Sequence, residues 1–422
     1  MHIILLIAYG LLLSVAVVRI PFIKKSQIKP VYLLIFFWLR CITSFIHNII
    51  AWRFYPNHGD IWNYFETGTQ MKNALLHAPE TFMPQFFGSY QASLSGAAFW
   101  SEISLRLIAA INMVLNFFSF DNFYINSLLF SFFIFIGSIA LYRVFIKAFP
   151  GQLVCALTTL ILPSTLFFTA CIHKDGVLYM LLGLFLWCWQ KQLHSRFTVR
   201  GVITCALLFG GILLTRANMV FGLLPGVIMW TLTLETTNKT WKNVLIATSL
   251  VFLFIFTAGI AHPAYNFFTI ISQRQHEFYY LQGKSRVFIP LLQPGAWSFL
   301  QALPFAVING FFQPLPGQGG QVIYNAFSGE LLLIWFFIIM AVYYTIRHKA
   351  FGTISGFGWF CLLLTATQLL LIGYIVPFIG AIIRYRSLFL PFLAAMALYQ
   401  LRQTKIFEKT DEWLKKTYKT SH

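Results

Sequence analysis

Asp60 and Glu66 fall close together in RFYPNHGDIWNYFE, residues 53–66, in a chain with only 12 acidic side chains. Tyr64 follows Asp60 by four residues, so on a helical turn the two share a face. A carboxylate held at a membrane surface is suited to act as a general base, with Glu66 as a second candidate acid. The plain alternative is a membrane loop that carries an acid beside aromatic anchors. His58 stands two residues before Asp60 and is a candidate substrate contact. No second histidine has ligand spacing to it, so no metal site is expected.

Further along, IHKDG at 172–176 offers Lys174 and Asp175. They suit an anionic head group or a further catalytic acid; equally, Asp175 suits the N-cap of the following helix. Arg216 in LLTRAN, and Arg384 and Arg386 in IIRYRSLFLPF, interrupt apolar sequence. The guanidinium fork matches phosphate oxygens, which makes these three candidate phosphate ligands. Snorkelling to lipid phosphates is the alternative for each. Arg216 and Arg384 or Arg386 are expected to line one outward-opening cavity with Asp60 and Asp175. Arg40 and His47 lie within an apolar run, where a charge must face the protein interior. A structural hydrogen bond is expected there rather than catalysis. Arg274, His276 and Glu277, beside Phe278, Tyr279 and Tyr280, read as a solvated loop helix with an aromatic belt, or as a sugar- or lipid-facing patch. Walker, Rossmann, HExxH and GxSxG patterns are absent, and no cofactor is expected.

The elements that must position these residues are membrane helices. The chain is 58% hydrophobic and 10% charged, with mean hydropathy +0.73; soluble domains carry about 25% charged residues. Apolar runs recur at about 2–20, 31–52, 123–145, 151–170, 176–191, 201–215, 219–234, 243–261, 330–346, 353–373 and 386–401. The expectation is an all-α polytopic membrane protein of about eleven spans, one integral domain over 1–422. The net charge of +18 fits basic cytoplasmic loops, and no groove-reading motif points to nucleic acid. Six cysteines fall in or at the ends of apolar runs without metal-ligand spacing and read as buried small hydrophobes. Lys and Arg in alternate loops place those loops, and a basic tail over 402–422, in the cytoplasm. Residues 53–122 and 262–329 then form two extracytoplasmic loops.

That frame requires 102–119 not to cross. Glu102, Arg106, Asn112 and Asn116 recur at helical spacing, which predicts an amphipathic helix lying in the interface. Residues 290–320, rich in Pro, Gly and Gln, are expected to be irregular. Eight of the 12 acids (Asp60, Glu66, Glu80, Glu102, Asp121, Asp175, Glu277 and Glu330) lie on or at the edge of the extracytoplasmic side. Chemistry is expected on that face.

The order of these parts resembles the GT-C superfamily of membrane glycosyltransferases, which use polyprenyl-phosphate sugars. The motifs are GDIWNY at 59–64, then the interfacial stretch and span over 105–151. LPSTLFFTACIHKDG at 162–176 follows, and RYRSLFLPFL comes at 384–393. The last is similar to the final span of the lipid A aminoarabinose transferases and protein O-mannosyltransferases. The resemblance implies a GT-C-like bundle with interfacial helices in the first outer loop, and Asp60 in the place of the catalytic aspartate. It also implies a polyprenyl-phosphate sugar donor and a glycan, lipid or protein acceptor, with membrane lipids around the chain and the bacterial inner membrane as its location. This sequence departs from the pattern in an extra early span, no second acid directly beside Asp60, and no large soluble C-terminal domain. The rival reading is an envelope polysaccharide polymerase or a lipid-linked sugar flippase.

Overall fold

The computed structural model describes residues 2–54, 59–87, 96–149, 153–195, 197–233, 240–262, 266–281, 283, 285–318, 322–349 and 354–419. It is all-helical. Among the described residues there is no strand, only isolated bridges between Ile28 and Lys419 and between Arg286 and Phe378. Among the described residues five helices are long and apolar enough to cross a membrane: Pro30–Phe54, Glu102–Ser119, Phe123–Ala148, Val322–Arg347 and Gly356–Ile375. Two bent pairs, Pro163–Thr169 with Lys174–Leu193 and Ile379–Arg386 with Leu390–Gln400, raise the number to seven if each is one span. The chain is therefore a membrane protein by length and composition, with fewer full-length spans than the eleven expected.

Local chemistry explains much of the difference. The expected span 151–170 is cut by Pro163, and Leu162 before it is extended rather than helical, at φ −64 and ψ 120. A residue preceding proline is pushed out of the helical region. The expected span 201–215 is the helix Val199–Thr215, which ends where Arg216 turns extended at φ −158. Its 17 residues reach roughly 25 Å, short of a hydrocarbon core of about 30 Å.

The chain divides into two compact units. The first comprises Met1–Lys147, Thr159–Ala217 and Glu412–His422. In chain order its main helices are α1 (His2–Arg19), α2 (Pro21–Lys24), α3 (Pro30–Phe54), α4 (Gly59–His77), α5 (Pro79–Phe87), α6 (Gly96–Ser119) and α7 (Phe123–Ala148). After α8 (Leu153–Ile161), which the division cuts, come α9 (Pro163–Thr169), α10 (Lys174–Leu193) and α11 (Val199–Thr215). α4 buries Ile61, Tyr64, Gly68, Met71 and Ala74, a stripe at three- and four-residue spacing. That stripe packs on α6. A Cβ on Gly68 would lie 2.7 Å from both the Ala109 carbonyl oxygen and Asn112 Cβ, so only glycine permits this approach.

Two residues of the polar face expected for α6 do not face water. Asn112 and Asn116 are buried, while Val114, Phe117 and Phe118 are exposed. Asn126 of α7 donates to Asn116 Oδ1 at 2.6 Å and to Asn112 Oδ1 at 3.3 Å, and Asn116 donates to Thr69 on α4 at 3.0 Å. These polar groups are satisfied by neighbouring helices rather than by water. The same logic holds in α3. Buried Arg40 donates to Thr169 Oγ1 and Ser138 Oγ, each at 3.0 Å, and Asn48 donates to Ser127 at 2.9 Å. The expected structural hydrogen bonds of Arg40 are therefore present. His47 Nδ1 sits 2.8 Å from the Phe167 carbonyl oxygen.

The second unit comprises Ala148–Thr158 and Asn218–Asp411. Its helices are α12 (Val220–Leu232), α13 (Thr240–Ala261), α14 (Phe267–Tyr279), α15 (Ala296–Val307), α16 (Val322–Arg347), α17 (Gly356–Ile375), α18 (Ile379–Arg386) and α19 (Leu390–Gln400). Caps set several starts: Asn266 accepts from Thr269 N and Ser355 from Gly358 N, each at 3.1 Å. Residues 290–320 are more ordered than expected. α15 runs into a π-helical turn, Ile308–Phe312, and only the flanking segments are irregular. The extended segment before α15 is held by side chains: Gln275 donates to Pro290 O and Tyr374 O and accepts from Leu292 N.

The tail expected over 402–422 is folded as α20 (Lys405–Tyr418), another helix cut by the division. Within the second unit, Asp411 caps the start of α8 by accepting from Leu153 N. Within the first, Lys29 N donates to Tyr418 O at 2.8 Å. All six cysteines are buried and free.

Candidate functional site

Asp60 is the second residue of α4, and the chain enters that helix through Gly59 at φ 73, a left-handed conformation glycine adopts without penalty. A carboxylate in the first helical turn is favoured by the unsatisfied N–H groups there. α9 and α10 meet at 113° through a short turn that ends in His173. His173 is extended, at φ −147 and ψ 149, and its side chain caps α10 by accepting from Asp175 N at 3.2 Å. Asp175 is therefore not the N-cap; it sits in the first turn, behind the residue that is.

α4, α10 and α11 bring four side chains into one row. His173 Nε2 lies 3.4 Å from Asp60 Oδ2, and His173 Nδ1 lies 3.0 Å from Asp175 Oδ2. Arg216, the C-cap of α11, donates from Nη2 to Asp175 Oδ1. Tyr64 packs edge-on against the His173 ring with centroids 5.8 Å apart. Burial is graded along the row. The Asp60 side chain is 54% exposed, His173 4% and Asp175 0%, while Arg216 is 12% exposed. A fully buried carboxylate is costly unless paired, and Arg216 supplies the countercharge.

The gradient separates the roles. Asp60 alone presents carboxylate oxygen outward and can meet a substrate proton. Asp175, the other candidate catalytic acid, has no exposed surface and meets His173 and Arg216. Arg216, expected to bind phosphate, is engaged by Asp175. Tyr64, expected to touch substrate, is buried against the His173 ring. Glu66 is exposed on α4 six residues after Asp60. At about 100° per residue it points roughly 120° away from Asp60 around the helix. Lys174 is partly buried at the start of α10. His58 lies outside the described residues. No group of three or more metal-ligating side chains occurs among the described residues.

His173 is the member the sequence reading missed. It stands inside IHKDG, two residues before Asp175 and beside the charged Lys174. The signal was the His-x-Asp spacing at a turn after a proline-started helix, which lets the ring cap the helix and meet the carboxylate together.

Arg384 and Arg386 belong to the second unit. Arg384 Nη2 donates to Tyr385 Oη at 3.0 Å, and its guanidinium stacks 4.9 Å from that ring. Arg386 is 1% exposed and donates to the Gly310 and Gln313 carbonyls at the end of the π-helical turn. It is a structural residue, not the exposed phosphate ligand expected. This unit also has an apolar cleft of about 210 Å³ between α16, α17 and α19, lined by residues such as Thr345, Trp359, Met396 and Gln400. None of its lining side chains is titratable.

No known protein family matches the chain, and neither a curated protein nor a solved structure matches it.

Proposed function

We propose that the chain is an inverting membrane glycosyltransferase that moves a sugar from a polyprenyl phosphate to a glycan, lipid or protein acceptor. In this reading Asp60 is the general base. The acceptor hydroxyl loses its proton to Asp60 as its oxygen attacks the anomeric carbon and the lipid phosphate departs. The single observation that carries the reading is the half-exposed Asp60 carboxylate backed by buried His173, Asp175 and Arg216. That is an arrangement suited to moving a proton at a defined atom. Lys174, beside His173 at the start of α10, is the candidate phosphate ligand within the same unit. The site faces the extracytoplasmic side of a bacterial inner membrane, where nucleotide sugars are absent and a lipid carrier is needed. The polar groups inside the first unit bond one another, as between Asn112, Asn116 and Asn126, which favours helix association over a flippase conduit.

Asp60→Asn tests this reading. It keeps the side chain's volume and removes its basicity, so transfer should fall by roughly 100-fold or more at unchanged protein level. Glu80→Gln, in the same expected loop but outside the row, should change little. The assay follows radiolabelled polyprenyl-phosphate sugar into envelope fractions. Full transfer by a normally folded Asp60→Asn protein removes the proposal.

A further inference from the structure

Asp175 gives the His173 ring a partner in either protonation state. Its Oδ2, 3.0 Å from Nδ1, accepts from a protonated Nδ1. Its backbone N–H, 3.2 Å away, donates to a bare Nδ1. The opposite ring nitrogen faces Asp60 Oδ2 at 3.4 Å. The remaining groups around the ring are Tyr64, edge-on from α4, and Lys174, next in the chain. The ring is almost sealed, so its exchange with water runs through the exposed edge of Asp60. A ring held between two carboxylates, with an arginine behind the farther one, alternates charge along the row. With His173 neutral the four groups sum to −1; one added proton brings them to zero.

We infer that His173 is the positioning residue of Asp60 and the relay for the proton Asp60 takes up. This rests on the reading of Asp60 as base. The proton leaves the acceptor oxygen for Asp60 as the new C–O bond forms. The bond from the anomeric carbon to the phosphate oxygen breaks with its electron pair. Asp60 then passes the proton to the bare Nε2 of His173, in the tautomer whose Nδ1–H donates to Asp175 Oδ2. That restores the Asp60 carboxylate and leaves an imidazolium donating to Asp60 through Nε2–H and to Asp175 Oδ2 through Nδ1–H. Return of the proton through Asp60 to water resets the row.

The test reads Asp60 directly. The full chain in detergent is treated with a water-soluble carbodiimide and an amine nucleophile across a range of pH, and Asp60 modification is read by peptide mass spectrometry. Carbodiimide reacts with the protonated carboxyl. In His173→Gln, which cannot hold the extra proton, Asp60 labelling should extend to higher pH than in the parent, with Glu80 labelling unchanged. Transfer should lose about tenfold or more in kcat with KM for the polyprenyl-phosphate sugar unchanged, and its pH profile should change shape. An Asp60 labelling profile unmoved by His173→Gln overturns the inference. If that variant does not fold, Asp175→Asn removes the carboxylate but keeps the amide, and the same two outcomes decide. Asp60→Asn run in parallel separates the two ideas. Normal transfer in Asp60→Asn defeats the base, whereas a dead Asp60→Asn beside an unmoved labelling profile defeats only the relay.

Discussion

Replacing Arg216 with Met should destabilise the first unit far more than an ordinary surface change. Asp175 has no exposed surface, and its Oδ1 is held by Arg216. Removing one partner of a buried ion pair costs about 3–5 kcal/mol, because the other charge is left uncompensated. His173 remains 3.0 Å from Oδ2 and can take a proton, which places the expected cost near the lower end, about 3 kcal/mol. For a large domain that corresponds to a fall in Tm of roughly 6–12 °C. The double variant Asp175→Leu with Arg216→Met removes both charges together. Its loss should be smaller than the sum of the single losses by about 2 kcal/mol, the signature of direct coupling. Thermal unfolding in detergent, followed by tryptophan fluorescence on the parent, both singles and the double, gives all four corners. A single Arg216→Met within about 0.5 kcal/mol of the parent refutes the argument, as does strict additivity in the double.

Much of the architecture was legible because lipid and water impose opposite demands on side chains. Composition and apolar runs were enough for an all-helical membrane protein. Span counting then failed where a single residue overrides hydropathy, as at Pro163 and Arg216. The asparagines of α6 misled for a related reason. A polar stripe on an apolar helix can face water or the polar groups of neighbouring helices, and periodicity is identical in the two cases. Only the partner, here Asn126 on α7 and Thr69 on α4, decides. Arg386 misled because its partners are backbone carbonyls, which no side-chain pattern announces.

The site was legible in half. Asp60, Asp175 and Arg216 were named on chemistry alone, and the structure joins them into one row. The order within the row was hidden because it depends on the 113° bend between α9 and α10, which aims His173 across to α4. Sequence spacing cannot carry a contact between residues 113 apart. What the bend achieves is a division of labour between two carboxylates of the same type. The one at the surface keeps its reactivity, and the one inside is neutralised and holds the imidazole.

The remaining expectations concern packing and charge. Gly68→Ala should cost about 1–3 kcal/mol by forcing α4 from α6, whereas Gly210→Ala, whose Cβ meets nothing within 4 Å, should be neutral or slightly stabilising; thermal unfolding of the pair checks both. Arg386→Met should cost about 2 kcal/mol or more, since it strands the Gly310 and Gln313 carbonyls, and Arg386→Lys should not fully rescue stability in the same measurement. Arg40→Met should behave oppositely, although Arg40 is equally buried. Its two partners do not depend on it. Thr169 Oγ1 also donates to the Thr165 carbonyl at 2.6 Å, and Ser138 Oγ to the Ile134 carbonyl at 3.0 Å. Both hydroxyls therefore stay bonded when the guanidinium goes, and a flexible apolar chain of similar length takes its place. Replacing a buried charge by a packed apolar side chain is often neutral or stabilising. Arg40→Met should unfold within about 1 kcal/mol of the parent. A loss as large as that of Arg216→Met would mean that Arg40 neutralises a buried charge rather than bridging hydroxyls.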